Sequence, residues 1–322
     1  MKAPEFTSVD HILEEVRAMR VRGGSAFGQA AARAFQFVAV DPAIQTADAM
    51  FAELDRVSSA LLEEKPTMAT IRNARLLIIE AAKNSVSAND LTNLRENLSA
   101  RVDLFIQMSL TAVDTLGRIG AHLVGDGQTI MMHSFSESVL AIFEQARRAG
   151  KQFEVICTES RPLREGRFSA GRLSAMGVPV VFVTDASMAE VVRVADWVIV
   201  GADCIGIDGS VANKMGTNLL SILADRFDVP FYVASEILKL NPMTKQGQPI
   251  RLEFRPPTEV ADKDEFESSV HVGIRNQFFD VTPPQRIRAL VTERGLSSPG
   301  MAGQAWHEMQ AAFERDLKQR GR

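Results

Sequence analysis

Cysteine is almost missing from this chain. Only Cys157 and Cys204 occur among 322 residues, each in or beside an apolar run. That rules out a disulfide framework, leaves no zinc-type Cys/His spacing, and points to a reducing, cytoplasmic setting. An excess of one charge is missing too. A net charge of -4 gives no electrostatic reason to expect a nucleic-acid partner. No apolar run approaches the ~20 residues needed to cross a membrane, and no apolar signal core follows the first residues. The phosphate loop G-x-x-x-x-G-K-[ST] and the glycine-rich dinucleotide fingerprint are both absent, which argues against a nucleotide cofactor. No metal cluster and no other cofactor is called for. Internal repeats and low-complexity stretches are absent as well. What remains is ordinary globular composition, 46% hydrophobic and 24% charged. The length fits two domains of ~100–200 residues each.

The chain changes character near Gly125-Asp126-Gly127. Before this turn the patterns are helical: His11–Arg20, Ala26–Phe37, Thr46–Leu62, Thr67–Ala82 and about Asn89–Gly120, with Pro42 and Pro66 in the connections. After it, apolar β-rich runs alternate with helical segments. The runs are Thr129–His133, Phe153–Thr158, Val180–Val183, Trp197–Gly201, Pro230–Ala234 and a shorter Ala289–Thr292. This is the pattern of a parallel sheet covered on both faces. The expectation is an α/β protein: a helical N-terminal domain over 1–124, then a parallel-sheet domain over 125–322. The charged stretch Asp262–Glu267 reads as a solvated loop.

Ligands of open α/β sheets bind outside the carboxyl ends of the strands. The strand ends here are unusually polar. The run Trp197–Val200 stops at Gly201-Ala202-Asp203, with Asn213-Lys214 just beyond and a helix expected from about Gly216. Asp203 either caps that helix or stands where chemistry would be. The first strand ends His133-Ser134-Phe135-Ser136, where hydroxyls at a helix start either cap it or hold a phosphate. Neighbours on a strand point to opposite faces, so His133 reads as a packed residue rather than a base for Ser134. Arg161 follows the second strand. Asp185 or Ser187 reads as a cap after the third, and Glu236 and Lys239 follow the fifth. Together these form a polar crevice suited to a small anionic metabolite, with Arg161, Lys214 and Lys239 as its cations. Arg22-Gly23-Gly24-Ser25 is either a second anion cradle or a plain helix-breaking turn.

These blocks combine with Lys65-Pro66-Thr67, Thr158-Glu159-Ser160-Arg161-Pro162 and Asn276–Pro284. In order and spacing they resemble, over nearly the whole chain, the translation initiation factor 2B alpha/beta/delta family. That family includes ribose-1,5-bisphosphate isomerase and methylthioribose-1-phosphate isomerase. The resemblance implies a Rossmann-like C-terminal domain and a homodimer or higher homo-oligomer, with Asn276–Pro284 and its Phe278-Phe279 pair near the dimer contact. Its isomerase branches convert a sugar 1-phosphate from aldose to ketose with a Cys at the first strand end and the Asp of Gly-Ala-Asp. Here Asp203 is that Asp, Ser134 occupies the Cys position, and Lys65 stands where the isomerases tend to have Arg. The resulting expectation is a sugar-phosphate isomerase acting on a substrate such as ribose 1,5-bisphosphate. Asp203 and Ser134 are its catalytic positions. Arg22, Gly23, Gly24, Ser25, Lys65, Ser136, Asn213, Lys214 and Lys239 are its substrate-binding ones. The His-Ser-Phe-Ser context keeps a second expectation open, a non-catalytic phosphosugar-binding subunit resembling the regulatory alpha branch.

Overall fold

Polar caps start the N-terminal helices. Ser8, Thr46 and Asp90 each accept a backbone N–H at the head of α1 (Val9–Arg17), α3 (Ala47–Glu64) and α6 (Leu91–Gly120). Between them, α2 (Gly24–Val40) starts from Gly23. The single helix expected over Thr67–Ala82 is instead α4 (Ala69–Ala74), a π-helical turn (Arg75–Glu80) and α5 (Ala81–Lys83). The computed structural model describes residues 5–84, 90–246, 249–262, 264–266 and 271–320. Of the charged loop expected over 262–267, residues 262 and 264–266 are exposed, and 263 and 267 lie outside the described residues.

The second part alternates as read. It runs β1 (Gln128–His133), α7 (Glu137–Arg148), β2 (Phe153–Thr158), α8 (Gly166–Ala175), β3 (Val180–Val183), α9 (Met188–Val191) and β4 (Trp197–Val200). A hairpin of β5 (Cys204–Gly206) and β6 (Val211–Lys214) follows, then α10 (Thr217–Arg226), β7 (Phe231–Ala234) and β8 (Leu240–Asn241). The chain ends with β9 (Phe279–Thr282), β10 (Ala289–Thr292), β11 (Gly295–Ser297) and α11 (Ala302–Arg320). The main sheet has the order β11-β10-β7-β4-β1-β2-β3. All its pairings are parallel except β10–β11, so the sheet is mixed at one edge. A smaller sheet, β8-β5-β6-β9, stands beyond the end of β4; sequence periodicity gave no sign of it.

Side-chain alternation divides the core. Ile130 and Met132 of β1, with Val155, Cys157 and Ile199, pack against α7 and the C-terminal part of α6. Met131, Ile156, Val198 and Val200 face the other way, into a core shared with the N-terminal helices and α11. Burial on both faces explains why these strands read as continuous apolar runs.

Candidate active site

One cleft gathers the ends of three neighbouring strands. Ser134 and Phe135 follow β1, Glu165 lies in the turn after β2, and Asp203 follows β4. The small sheet brings Lys214, Phe278 and Phe279, and the N-terminal part brings Met19, Arg22, Gly23, Phe27, Lys65 and Met68.

At the end of β1 the backbone turns sharply. Ser134 has a left-handed φ of 70°. Its N–H donates to Ser160 Oγ at 2.7 Å and its carbonyl accepts from Ser169 Oγ at 2.9 Å. Both backbone groups are satisfied locally, which fixes where the side chain emerges. Among the described residues no side chain bonds the Ser134 hydroxyl. His133 is fully occupied elsewhere: Nε2 donates to the Met215 carbonyl at 2.9 Å, so Nδ1 accepts from Thr158 Oγ1 at 2.6 Å. Burial pushes its pKa below the ordinary value. It is the packed residue the strand geometry implied. Ser136 caps α7, accepting from Val139 N at 3.3 Å, and is not among the cleft residues.

Asp203 does not cap α10, whose N-cap is Gly216. Its backbone is tied by Asp203 N to the Ala212 carbonyl at 3.0 Å, which leaves the carboxyl in the cleft. Burial pushes that carboxyl up to about 6 against the pull of Lys239 and Lys214. Lys214 ion-pairs with Glu165, and its Nζ lies 3.0 Å from the centroid of the Phe278 ring. Asn213, its neighbour on β6, points elsewhere, and its amide donates to Thr217 Oγ1 at 2.9 Å at the head of α10. Lys239 pairs with Glu236 at 3.1 Å. The Ser25 hydroxyl also donates to Glu236, so Ser25 holds this buried carboxylate.

Gly24 sits where Lys239 and Asp203 meet. A Cβ there would come within 3.1 Å of Lys239 Cε and 3.4 Å of Asp203 Oδ1. Gly23 before it has φ 87° and ψ 141°, backbone that favours glycine. Arg22 stacks over Phe168 at 4.5 Å and has no carboxylate partner among the described residues. Lys65 meets Glu253 at 3.4 Å, and burial lowers its pKa. Arg255 meets the same Glu253 at 2.9 Å.

Several residues singled out in the sequence take other roles. Arg161 spends its guanidinium on the Val260 carbonyl at 2.7 Å. Asp185 does not cap the following helix; it accepts the Ser160 and Arg161 N–H groups at 2.8 and 2.7 Å and so shapes the end of β2. Phe278 and Phe279 are 3% exposed each and sit against Lys214, so they are not free to anchor a dimer. Cys157 and Cys204 are buried and pushed up to about 12, so neither supplies a thiolate. Sequence reasoning missed Glu165, Glu253 and Arg255. Each lies in a connection with no periodic pattern, and an acid three residues past Arg161-Pro162 was the available signal for Glu165.

The chain matches a model of the initiation factor 2 subunit family over residues 20–299. A ribose 1,5-bisphosphate isomerase of Pyrococcus furiosus is 33% identical over 301 residues, 93% of either chain. A putative translation initiation factor eIF-2B subunit 2-like protein of Pyrococcus abyssi is 37% identical over 294 residues, 89% of this chain and 95% of that one. Among solved structures, the Pyrococcus horikoshii translation initiation factor eIF-2B superposes with a TM-score of 0.77 at 34% identity, covering 90% of this chain and 97% of that one.

Proposed function

This chain belongs to the initiation factor 2 subunit family, and we propose that it is a sugar-phosphate aldose–ketose isomerase acting on a sugar 1-phosphate such as ribose 1,5-bisphosphate. The observation that carries this reading is Asp203. It is a carboxyl pushed up to about 6 in a cleft that also holds lysines and an Arg22 with no carboxylate partner among the described residues. Ring opening of a sugar 1-phosphate needs an acid at the ring oxygen, and an acid near neutral pKa is suited to it. In this reading Arg22 and the Gly23-Gly24 backbone hold a phosphate, and Lys65, Lys214 and Lys239 hold the second phosphate and the sugar oxygens. Ser25, Ser136 and Asn213 support this cradle through Glu236, α7 and α10. Ser134 presents its hydroxyl to the same space.

The parallel strands read β3-β2-β1-β4-β7-β10, an order that supports a Rossmann-like reading and whose direction reverses between β1 and β4. The cleft lies at that reversal, where ligands of such sheets bind. No helix among the described residues is long and apolar enough to cross a membrane. Together with the free thiols of Cys157 and Cys204, this supports a cytoplasmic setting, and we infer that the chain assembles with itself. The direct test is NMR of pentose 1-phosphates and 1,5-bisphosphates incubated with the protein. A ketose product is expected, and its absence from every substrate with folded protein rejects the enzyme.

One observation favours a second reading, a sensor that binds a phosphosugar without converting it: among the described residues the Ser134 hydroxyl has no bonded base. A phosphosugar that raises the melting temperature and is recovered unchanged would carry that reading.

A further inference from the structure

We propose that Glu165, not Ser134, is the base that moves hydrogen between C1 and C2, working opposite Asp203 across the cleft. The assignment rests on the isomerase reading above. Sheet order supplies the geometry. β1 lies between β4 and β2, so Ser134 at the end of β1 is flanked by Asp203 after β4 and Glu165 after β2. Two carboxyl groups thus reach one cleft from opposite sides of the central strand, the arrangement that an acid and a base need on one sugar.

Glu165 is held in place by its turn. Gly166 packs so tightly on β2 that a Cβ there would lie 1.7 Å from the Thr158 carbonyl oxygen. The Gly166 N–H donates to the Glu159 carbonyl at 3.2 Å, and Arg164 has a left-handed φ of 56°. Glu165 is therefore the last side chain before a forced glycine, and it faces Lys214.

Other bases hold more partners than Glu165, whose carboxylate meets only Lys214 among the described residues. Glu253 lies between Lys65 at 3.4 Å and Arg255 at 2.9 Å. Glu236 is enclosed by Ser25, Ser138 and Lys239. Both His133 nitrogens are bonded. Lys214 stands over the Phe278 ring and ion-pairs with Glu165, while burial lowers its pKa. A serine hydroxyl needs a bonded base to become reactive, and Ser134 has none among the described residues.

The chemistry balances without an oxidant. Asp203 gives its proton to the ring oxygen as the C1–ring oxygen bond breaks. Glu165 takes the proton from C2, and the C2–H electron pair becomes the C1=C2 bond. Glu165 then returns that proton to C1, while Asp203 takes the proton of the C2 hydroxyl as the C2=O bond forms. Both carboxyl groups end as they began. Lys214, which feels the charge of both Glu165 and Asp203, couples the two sides.

The test uses the full chain, ribose 1,5-bisphosphate in deuterated water, and NMR. Glu165→Gln keeps shape and removes the base. Turnover is expected to fall ~10²–10⁴-fold, the scale of general acid–base catalysis. Deuterium incorporation should fall with it, and calorimetric affinity should stay within about tenfold. Glu165→Asp, which retains the charge and the Lys214 partner, is expected to recover measurable exchange; it also stands in should the Gln variant misfold. If Glu165→Gln turns over within about tenfold of wild type, or raises KM with kcat unchanged, the base is elsewhere and Glu165 merely anchors Lys214. A wild-type chain that converts no sugar phosphate overturns the isomerase reading and this assignment with it.

Discussion

Asp203 sits beside Lys239 and Lys214, whose charge would ordinarily hold a carboxyl below its free value, yet burial outweighs them and sets it at about 6. An acid must carry its proton to act. The protonated fraction falls as pH climbs through about 6, so kcat/KM is expected to decline on the alkaline side of that value. Substrate phosphate titrates near ~6 as well, so the informative comparison is with Asp203→Asn. That variant is expected to lose ~10²–10⁴-fold in rate and to retain only the substrate's limb. Unchanged turnover in Asp203→Asn removes the residue from the mechanism. Ligand binding should survive, since Arg22, Lys65 and Lys214 remain. The same group weighs on folding. Because its folded value lies above the ordinary 3.8, its favourable contribution is complete below 3.8 and lost as pH rises through about 6. Asn does not titrate. The melting temperature of Asp203→Asn should therefore rise relative to wild type between about pH 4 and pH 7; a variant that falls relative to wild type over that range would contradict the burial argument.

At the scale of elements, what the sequence made legible followed from burial. β1, β2, β4 and β7 are covered on both faces, so Ile130–Met132 or Trp197–Val200 could be little else than strand. The helix after Lys214 was legible because Gly216, at φ 104°, ends one element and starts another. The small sheet was not legible. Its strands are short, and Val211-Ala212-Asn213-Lys214 mixes apolar and polar positions because Lys214 serves the cleft while Asn213 ties down α10. The site was half legible for the same reason: Asp203 and Lys239 end or follow apolar runs, whereas Glu165 and Glu253 sit in connections that only tertiary packing brings together. β9 shows the cost of missing that sheet. The family resemblance puts Asn276–Pro284 near a dimer contact, yet Asp280 reaches from it to accept the N–H groups of Gly216 and Asn218 at 2.8 and 3.1 Å. It does for α10 what a local cap does elsewhere. Asp280→Ala is expected to cost ~0.5–2 kcal/mol, the range for a lost N-cap, and to lower the melting temperature by a few degrees in calorimetry. An unchanged melting temperature would mean that α10 is held by packing alone.

For the molecule as a whole, assembly has to be sought on a surface other than the Phe278-Phe279 pair, since those rings are spent on Lys214. Large apolar side chains left in water carry a free-energy cost that association relieves. On α10, Leu219 is 51% exposed and Ile222 42% exposed, three residues apart and so on one side of the helix. Phe227, which C-caps α10, is 38% exposed, and Val194 in the turn after α9 is 69% exposed. Arg193 stacks over Phe227 at 5.6 Å, which joins the turn to the helix as one face. A net charge of -4 over 322 residues puts little electrostatic repulsion between two copies. Light scattering at low micromolar concentration is therefore expected to give at least twice the 35.3 kDa chain mass. Leu219→Glu combined with Ile222→Glu places like charges opposite one another if two copies meet through this face. Both side chains are exposed, so the change should leave the melting temperature of the isolated chain nearly untouched while shifting the mass toward 35.3 kDa. A wild-type chain that scatters as a clean monomer rejects self-assembly, and a double variant that keeps the wild-type mass moves the contact off α10.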